Sequence, residues 1–182
     1  MKKFLFFLGC CLFIATTSRA QLVGVTTNLA GWAAFGTINA GAEAALTPNI
    51  TAAIDGYYNP FTGSDGKSTR FWAVQPEFRY WLKTKFTGHF VGLHSMYVNY
   101  DFGRNLYRYD GWMTGVGLSY GYSLAFSPRW RATANIGAGW TRRDYEKSGL
   151  PQSPDNIIYY GDNIKNGFSI TKAAITITYI IR

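Results

Sequence analysis

Cysteine is nearly missing from this chain: of 182 residues only Cys10 and Cys11 are cysteines. Both fall inside the apolar run from Phe4 to Ala15, which follows Met1-Lys2-Lys3 and precedes Thr16-Thr17-Ser18-Arg19-Ala20. Two lysines, a short apolar core and a small-x-small site read as a secretory signal, residues 1–20, cut between Ala20 and Gln21. A lipoprotein signal at Leu8-Gly9-Cys10 is the rival, but cleavage there would leave almost no apolar region. The mature chain is then free of thiols, which excludes disulfides, thiolate zinc sites and a cysteine nucleophile. Long apolar runs are missing as well, for no stretch after residue 20 reaches the ~20 residues of a membrane-spanning helix. Histidine is scarce, with His89 and His94 alone. Neither a two-histidine metal spacing nor a phosphate-cradling glycine loop occurs, so no metal and no cofactor is expected. Charge is thin at 15 % of residues, and losing Lys2, Lys3 and Arg19 lowers the formal net charge from +8 to +5. The remaining bases are scattered, which makes nucleic acid an unexpected partner.

What the chain does have is aromatics and glycine: 13 Tyr, 13 Phe, 6 Trp and 20 Gly. The stretch Trp130 to Trp140 shows how they are used. At period two it divides into an apolar face, Trp130, Ala132, Ala134, Ile136, Ala138 and Trp140, and a face of Arg131, Thr133, Asn135, Gly137 and Gly139. Ten intervals of about 3.3 Å, tilted by about 45°, span roughly the apolar band of an outer-membrane barrel. A Trp at each end suits the two membrane interfaces.

The same alternation recurs along residues 21–182, which are expected to form one domain. It is found in Val23 to Leu29, Ile38 to Leu46, Ile50 to Tyr58, Arg70 to Leu82, Trp112 to Phe126 and Phe168 to Ile181. For Ile38 to Leu46 an alanine-rich helix is the rival, but its glycines and strict alternation favour a strand. Pro76 cannot donate to a ladder, so a bulge or a missing bond is expected there. Gly88 to Tyr100 is a strand of undetermined orientation, since His89, His94, Ser95 and Asn99 are divided between the parities. Turns at Thr47, Lys83 and Ser127 are short. Connections beginning at Asn59, Asp101 and Thr141 are long, and Ala30 to Thr37 is intermediate. The expectation is an all-β, eight-stranded antiparallel transmembrane barrel, an up-and-down meander with its termini periplasmic and its long loops extracellular. Strand one pairing with strand eight would remove both edges.

On the inward parity lie Glu43, Asp55, Glu77, Arg79, Arg131 and Lys172, three acids and three bases. They are expected to form a paired network filling the lumen. Eight strands leave no open channel, which disfavours a porin. Gly115-x-Gly117 and Gly137-x-Gly139 read as small inward positions over which larger lumen side chains lie.

Thr27-Asn28-Leu29, Gly36-Thr37-Ile38-Asn39-Ala40-Gly41 with Glu43, Leu46-Thr47-Pro48-Asn49, Gln75-Pro76-Glu77-Phe78-Arg79-Tyr80-Trp81-Leu82 and Gly88-His89-Phe90-Val91-Gly92-Leu93-His94 together resemble a family. It is the small outer-membrane barrels of Bacteroidota called domain of unknown function 3575. The resemblance covers essentially the whole mature chain, and Pro-Glu-x-Arg-Tyr-Trp is its most specific part. It implies a fold similar to the OmpA membrane domain and OmpX, and no catalytic residues. Such barrels often end on an aromatic residue, whereas this chain ends Tyr179-Ile180-Ile181-Arg182.

Three functional readings stand side by side. A structural or surface-interaction barrel, acting as a monomer in outer-membrane lipid and lipopolysaccharide, would present Arg104, Tyr107, Arg108 and Tyr109 on one long loop. Arg142, Arg143, Tyr145, Lys147, Tyr159 and Tyr160 would stand on another. This basic and aromatic set suits lipopolysaccharide phosphates, glycans or a surface protein; the plainer reading is a solvated loop with interface-anchoring tyrosines. An outer-membrane lipid-modifying enzyme would draw on His94 and Ser95, but neighbouring strand residues point to opposite faces. A soluble exported lipocalin-like barrel would require apolar residues inside and polar ones outside. Pro151 and Pro154 mark the loop expected to be the most mobile.

Overall fold

The computed structural model describes residues 22–34, 36–62, 68–104, 107–149 and 159–181; for Arg104 and 159–162 only the backbone is described. The expected signal segment and both cysteines lie outside these residues, as do Pro151 and Pro154. Eight strands follow in chain order: β1 Val23–Asn28, β2 Ile38–Ala45, β3 Ile50–Asn59, β4 Ser68–Trp81, β5 Gly88–Arg104, β6 Tyr107–Ala125, β7 Trp130–Gly149 and β8 Tyr159–Ile181. Each pairs antiparallel with its neighbour, and β1 pairs with β8 from Val23↔Ile181 to Asn28↔Thr176, so the sheet closes into a barrel.

Alternation decides which side chains point inward. Apart from a break in β8, each strand sends one parity into the lumen, and each leaves a large apolar residue exposed outside: Val25, Ile38, Ile54, Phe78, Leu93, Leu118, Ile136 and Ile175. The interior carries the reverse chemistry, with Glu43, Asp55, Glu77, Arg79, His94 and Lys172 all buried. For β5 the structure supplies the orientation that alternation could not. Phe90, Gly92, His94 and Met96 point in, while His89 is outside, where Tyr120 and its Nδ1 share a hydrogen bond of 2.6 Å. The parities looked mixed because the lumen takes an aromatic ring, and the outer face takes a histidine among tyrosines.

Pro76 breaks the ladder without shifting it. The β4–β5 pairing runs Val74↔Tyr97 and resumes at Glu77↔His94 in the same register. A bulge occurs instead in β8, opposite Gly137 and Ala138, which face Lys172 and Ile170. Thr171 is the extra residue, so Thr171 and Lys172 are both buried although adjacent in sequence. The single parity expected through Phe168 to Ile181 is therefore wrong at its beginning: Phe168 and Ile170 are exposed, as are Ala173 and Ile175 beyond the bulge.

Two expected loops are largely strand. Residues 101–104 and 107–110 remain paired, as in Asp101↔Asp110 and Gly103↔Arg108. β7 continues to Gly149 and β8 resumes at Tyr159. Alternation marks a strand only where it separates apolar from polar residues, and these ribbons are mixed on both faces beyond the barrel. The opposite end closes on the short turns 46–49, 82–87 and 126–129. At the second of these Phe86 takes φ 63° and folds back inside, packing with Ala45 and Ile180 and lying 6.2 Å from the Trp81 ring.

The Ala30 to Thr37 connection contains a short helix, α1, Leu29–Ala33. Asn28 creates it. Its side-chain oxygen accepts from the amides of Ala30 at 3.0 Å and Gly31 at 3.4 Å, the N-cap arrangement, and also from the amide of Ile175 in β8 at 3.3 Å. Asn39 fastens the other side, donating to the Asn28 carbonyl at 2.9 Å and the Thr37 carbonyl at 3.1 Å. β1 therefore stops at Asn28. Among the described residues, β8 before Thr176 has no strand partner on that side, and α1 packs into the place. Asn28→Ala is expected to lower stability by about 0.5–2 kcal/mol through lost capping, checked by urea unfolding of the folded barrel.

Candidate functional site

The lumen has two halves, one filled and one hollow. In the filled half Glu77, 1 % exposed, stands at the centre. Arg79 Nε donates to it at 2.7 Å and Lys172 Nζ at 2.9 Å, while Ser119 Oγ and Asn135 Nδ2 supply further hydrogen bonds. Arg79 also reaches Glu43, which accepts from Thr51 on its other oxygen. Lys172 bridges to Asp55 at 3.2 Å, and Asp55 accepts from Thr26 at 3.2 Å. His94 Nε2 lies 2.7 Å from Thr171 Oγ1, and Gln75 donates to the Thr171 carbonyl at 2.9 Å. Every strand contributes at least one of these groups, so the cluster ties the whole ring together.

Five of the six charged residues singled out above are brought together: Glu43, Asp55, Glu77, Arg79 and Lys172. Arg131 is placed elsewhere. It lies at the first turn of β7 and donates to the carbonyls of Ser127 at 2.5 Å and Trp130 at 3.1 Å. The alternation gave its face but not its height, and at that height it reaches the carbonyls of Ser127 and Trp130. Thr51, Ser119 and Asn135 share the inward parity and were legible to that extent. Thr171 was hidden by the bulge.

Below the charges, Trp81, Phe86 and Phe90 close the turn end. Trp81 donates to Thr51 at 2.9 Å, its ring is 4.6 Å from Phe90, and the Arg79 guanidinium lies 5.0 Å from the Phe90 centroid. Glycines make the room. A Cβ at Gly121 would come within 2.3 Å of Phe90 and one at Gly137 within 2.7 Å of His94. Gly139 serves a different purpose, since its Cβ would lie 2.1 Å from the Val116 carbonyl and 2.4 Å from Gly117 Cα. Backbone cannot yield as a side chain can. Gly139→Ala is expected to cost about 1–3 kcal/mol by overpacking, and Gly56→Ala, whose nearest contact would be 3.7 Å, well under that; urea midpoints compare them.

Above the charges the lumen is hollow. A cavity of 1180 Å³ has Gln75, Thr171 and Lys172 as its floor and Phe71, Ala73, Met96, Val98 and Met113 among its walls. Ala30 and Gly31 of α1, with Ala34 just after it, line one side, and the surface continues onto Ile170 and Ala173, which belong to the outer face of β8. Neither the cavity nor α1 was legible in the sequence, because small residues at inward positions report unfilled space only after the ring is closed.

The ribbon beyond the cavity gathers part of the basic and aromatic set. Lys147 Nζ lies 4.0 Å from the Tyr107 centroid and 5.9 Å from that of Tyr109, Tyr109 and Tyr145 are 6.0 Å apart, and Lys165 lies 5.8 Å from Tyr145. Arg108 instead turns to Asp101, with bonds of 2.8 and 2.5 Å, which raise its pKa further above the ordinary arginine value. Its side chain is 47 % exposed, so Arg108→Ala should cost no more than about 1 kcal/mol. Arg142 and Arg143 are exposed. The side chains of Arg104, Tyr159 and Tyr160 lie outside the described residues. His94 and Ser95 do not meet, the first being buried and the second exposed on the outer face. Among the described residues no group of three or more His, Cys, Asp or Glu is placed to hold a metal ion.

Comparison with curated proteins finds no match, and neither does comparison with solved structures. The family described as Protein of unknown function (DUF3575) matches residues 5–181, nearly the whole barrel-forming chain, and the protein belongs to that family.

Proposed function

We propose that this barrel resides in an outer membrane as a monomer and serves there as a structural and surface-contact protein without an open pore. The observation that carries the reading is the inversion of polarity. Ile136 is 59 % exposed, Leu118 69 % and Phe168 74 %, while the interior buries five ion-paired side chains. A water-soluble barrel gains stability by hiding apolar residues inside; a belt of them around a closed ring gains it only against hydrocarbon. From Val23↔Ile181 to Asn28↔Thr176 the pairing of β1 with β8 removes the backbone edge that lipid would not tolerate. Trp130 at the turn end and Trp140 ten residues along the same outward face mark the two interfaces. The turn end would then face the periplasm and the paired ribbons the cell exterior.

The plugged half-lumen argues against conduction. The ribbons, with the tyrosines and bases that survive as an exposed set, are the part available to lipopolysaccharide, glycans or another surface protein. We assign no catalytic role.

The test is extraction and gel migration. The protein should leave the outer-membrane fraction only with detergent, and should migrate differently when heated before electrophoresis. Recovery from the periplasm without detergent would overturn the membrane reading and return the lipocalin-like one.

A further inference from the structure

We propose that the hollow half of the barrel binds one acyl chain of an anionic lipid, which enters from the outer leaflet through the seam between β8 and α1. The inference rests on the membrane reading above and adds a site to it. At that seam the wall is a helix rather than a strand. β8 before Thr176 has no partner strand on this side among the described residues, and the last bridge across is the Asn28 side chain accepting from Ile175. α1 turns Leu29 and Trp32 outward, 46 % and 48 % exposed, and its small residues Ala30 and Gly31, with the C-cap Ala34, line the cavity. Five residues held by the Asn28 cap, the contact with Asn39, a Trp32–Thr27 side-chain bond of 2.9 Å and the backbone bonds of Ala34 to Ala30 and Thr37 to Gly31 make a shorter, less cooperative wall than a ladder of strand hydrogen bonds.

The cavity has the size and lining for such an occupant. Its 1180 Å³ exceeds the roughly 300–1,000 Å³ of ordinary ligand sites. Phe71, Met96, Val98 and Met113 provide an apolar wall. Continuity with Ile170 and Ala173 joins this interior to the lipid-facing surface. On β8 the seam extends from Ile175, level with Ala134 near the middle of the belt, up to Phe168, level with the interface residue Trp140. That is the depth of outer-leaflet chains, not of headgroups.

Charge selects the head. The floor is a poor place for it, since Lys172 is committed to Asp55 and Glu77 and the cluster holds three carboxylates against two cations. The chain therefore enters tail first and leaves its head at the rim. There Arg143 and Lys165 are cross-strand neighbours on the face that continues the lumen wall, and both are exposed. A phosphate-bearing head would sit between them.

The experiment uses the full barrel in vesicles of phosphatidylcholine and phosphatidylglycerol, with the photo-crosslinker p-benzoylphenylalanine in place of Met113 inside or Leu118 outside. Lipid adducts are read by mass spectrometry. Adducts at both positions are expected. At Met113 phosphatidylglycerol should be enriched over its share of the vesicle, and Arg143→Ala with Lys165→Ala should abolish that enrichment. Val98→Trp, still heat-modifiable on a gel, should reduce the Met113 adduct roughly tenfold, the effect of denying about two methylene groups their burial. Adducts at Leu118 without any at Met113 would overturn the cavity assignment and leave the membrane reading standing. Their absence at both would remove the membrane reading itself. A Met113 adduct indifferent to the charge substitutions would overturn the choice of an anionic lipid.

Discussion

Glu77→Ala is expected to lower the stability of the folded barrel by about 3–5 kcal/mol, the loss typical of breaking a buried ion pair from one side. The reason is geometric. Glu77 receives Arg79 at 2.7 Å and Lys172 at 2.9 Å, and both bases are themselves buried. Taking the carboxylate away leaves two cations sharing Glu43 and Asp55, and leaves Ser119 and Asn135 without their acceptor. Urea unfolding in detergent or vesicles, followed by tryptophan fluorescence, measures the effect. Glu77→Gln with Lys172→Met removes one charge of each sign and should recover much of the loss; their coupling in a double-mutant cycle reports the pair itself. A loss under about 1 kcal/mol for Glu77→Ala would mean that water reaches the cluster and that the lumen is less tightly plugged than the geometry implies.

Ile136→Arg is expected to cost about 2–4 kcal/mol in a bilayer, because the side chain stands mid-belt on the outer face. Ile164→Arg, 57 % exposed beyond Phe168 on the ribbon, should cost only about 0–1 kcal/mol. Similar exposure at different depths is what makes the comparison decisive. On a protein surrounded by water both changes would fall within about 0.5 kcal/mol of neutral. Asn135→Arg is a poor inward control, since Asn135 is buried against Glu77 and an added guanidinium there would overpack a filled space.

Much of this architecture was legible in the chain because a barrel strand repeats a two-residue rule many times. The starts of β2, β3, β5 and β7 coincide with the expected Ile38, Ile50, Gly88 and Trp130, where tight turns or glycines punctuate the pattern. Strand ends on the opposite side were misjudged by up to nine residues, Trp140 against Gly149, because hydrogen bonding there continues after the apolar contrast has ended. The charge cluster was legible as a parity, not as a set of partners. Parity assigns a face, whereas the partner depends on height within the barrel, set by the stagger of strands far apart in sequence. That is why Lys172 meets Asp55 across 117 residues while Arg131 turns to its own carbonyl neighbours.

By itself the sequence determined the all-β class, the eight strands, the faces of six of them and of β8 beyond its bulge, and the chemistry inside and outside, since each follows from local alternation. Only the tertiary structure decided where the ring is weak and where it is hollow. The bulge at Thr171 depends on β7 and β8 losing register by one residue, and the insertion of Phe86 on space beside Gly24 in β1 and on packing against Ala45 and Ile180. The seam at α1 depends on Asn28 capping a helix and reaching Ile175 at once. Each joins segments far apart in the chain, and no periodicity in one segment carries information about its neighbour's height.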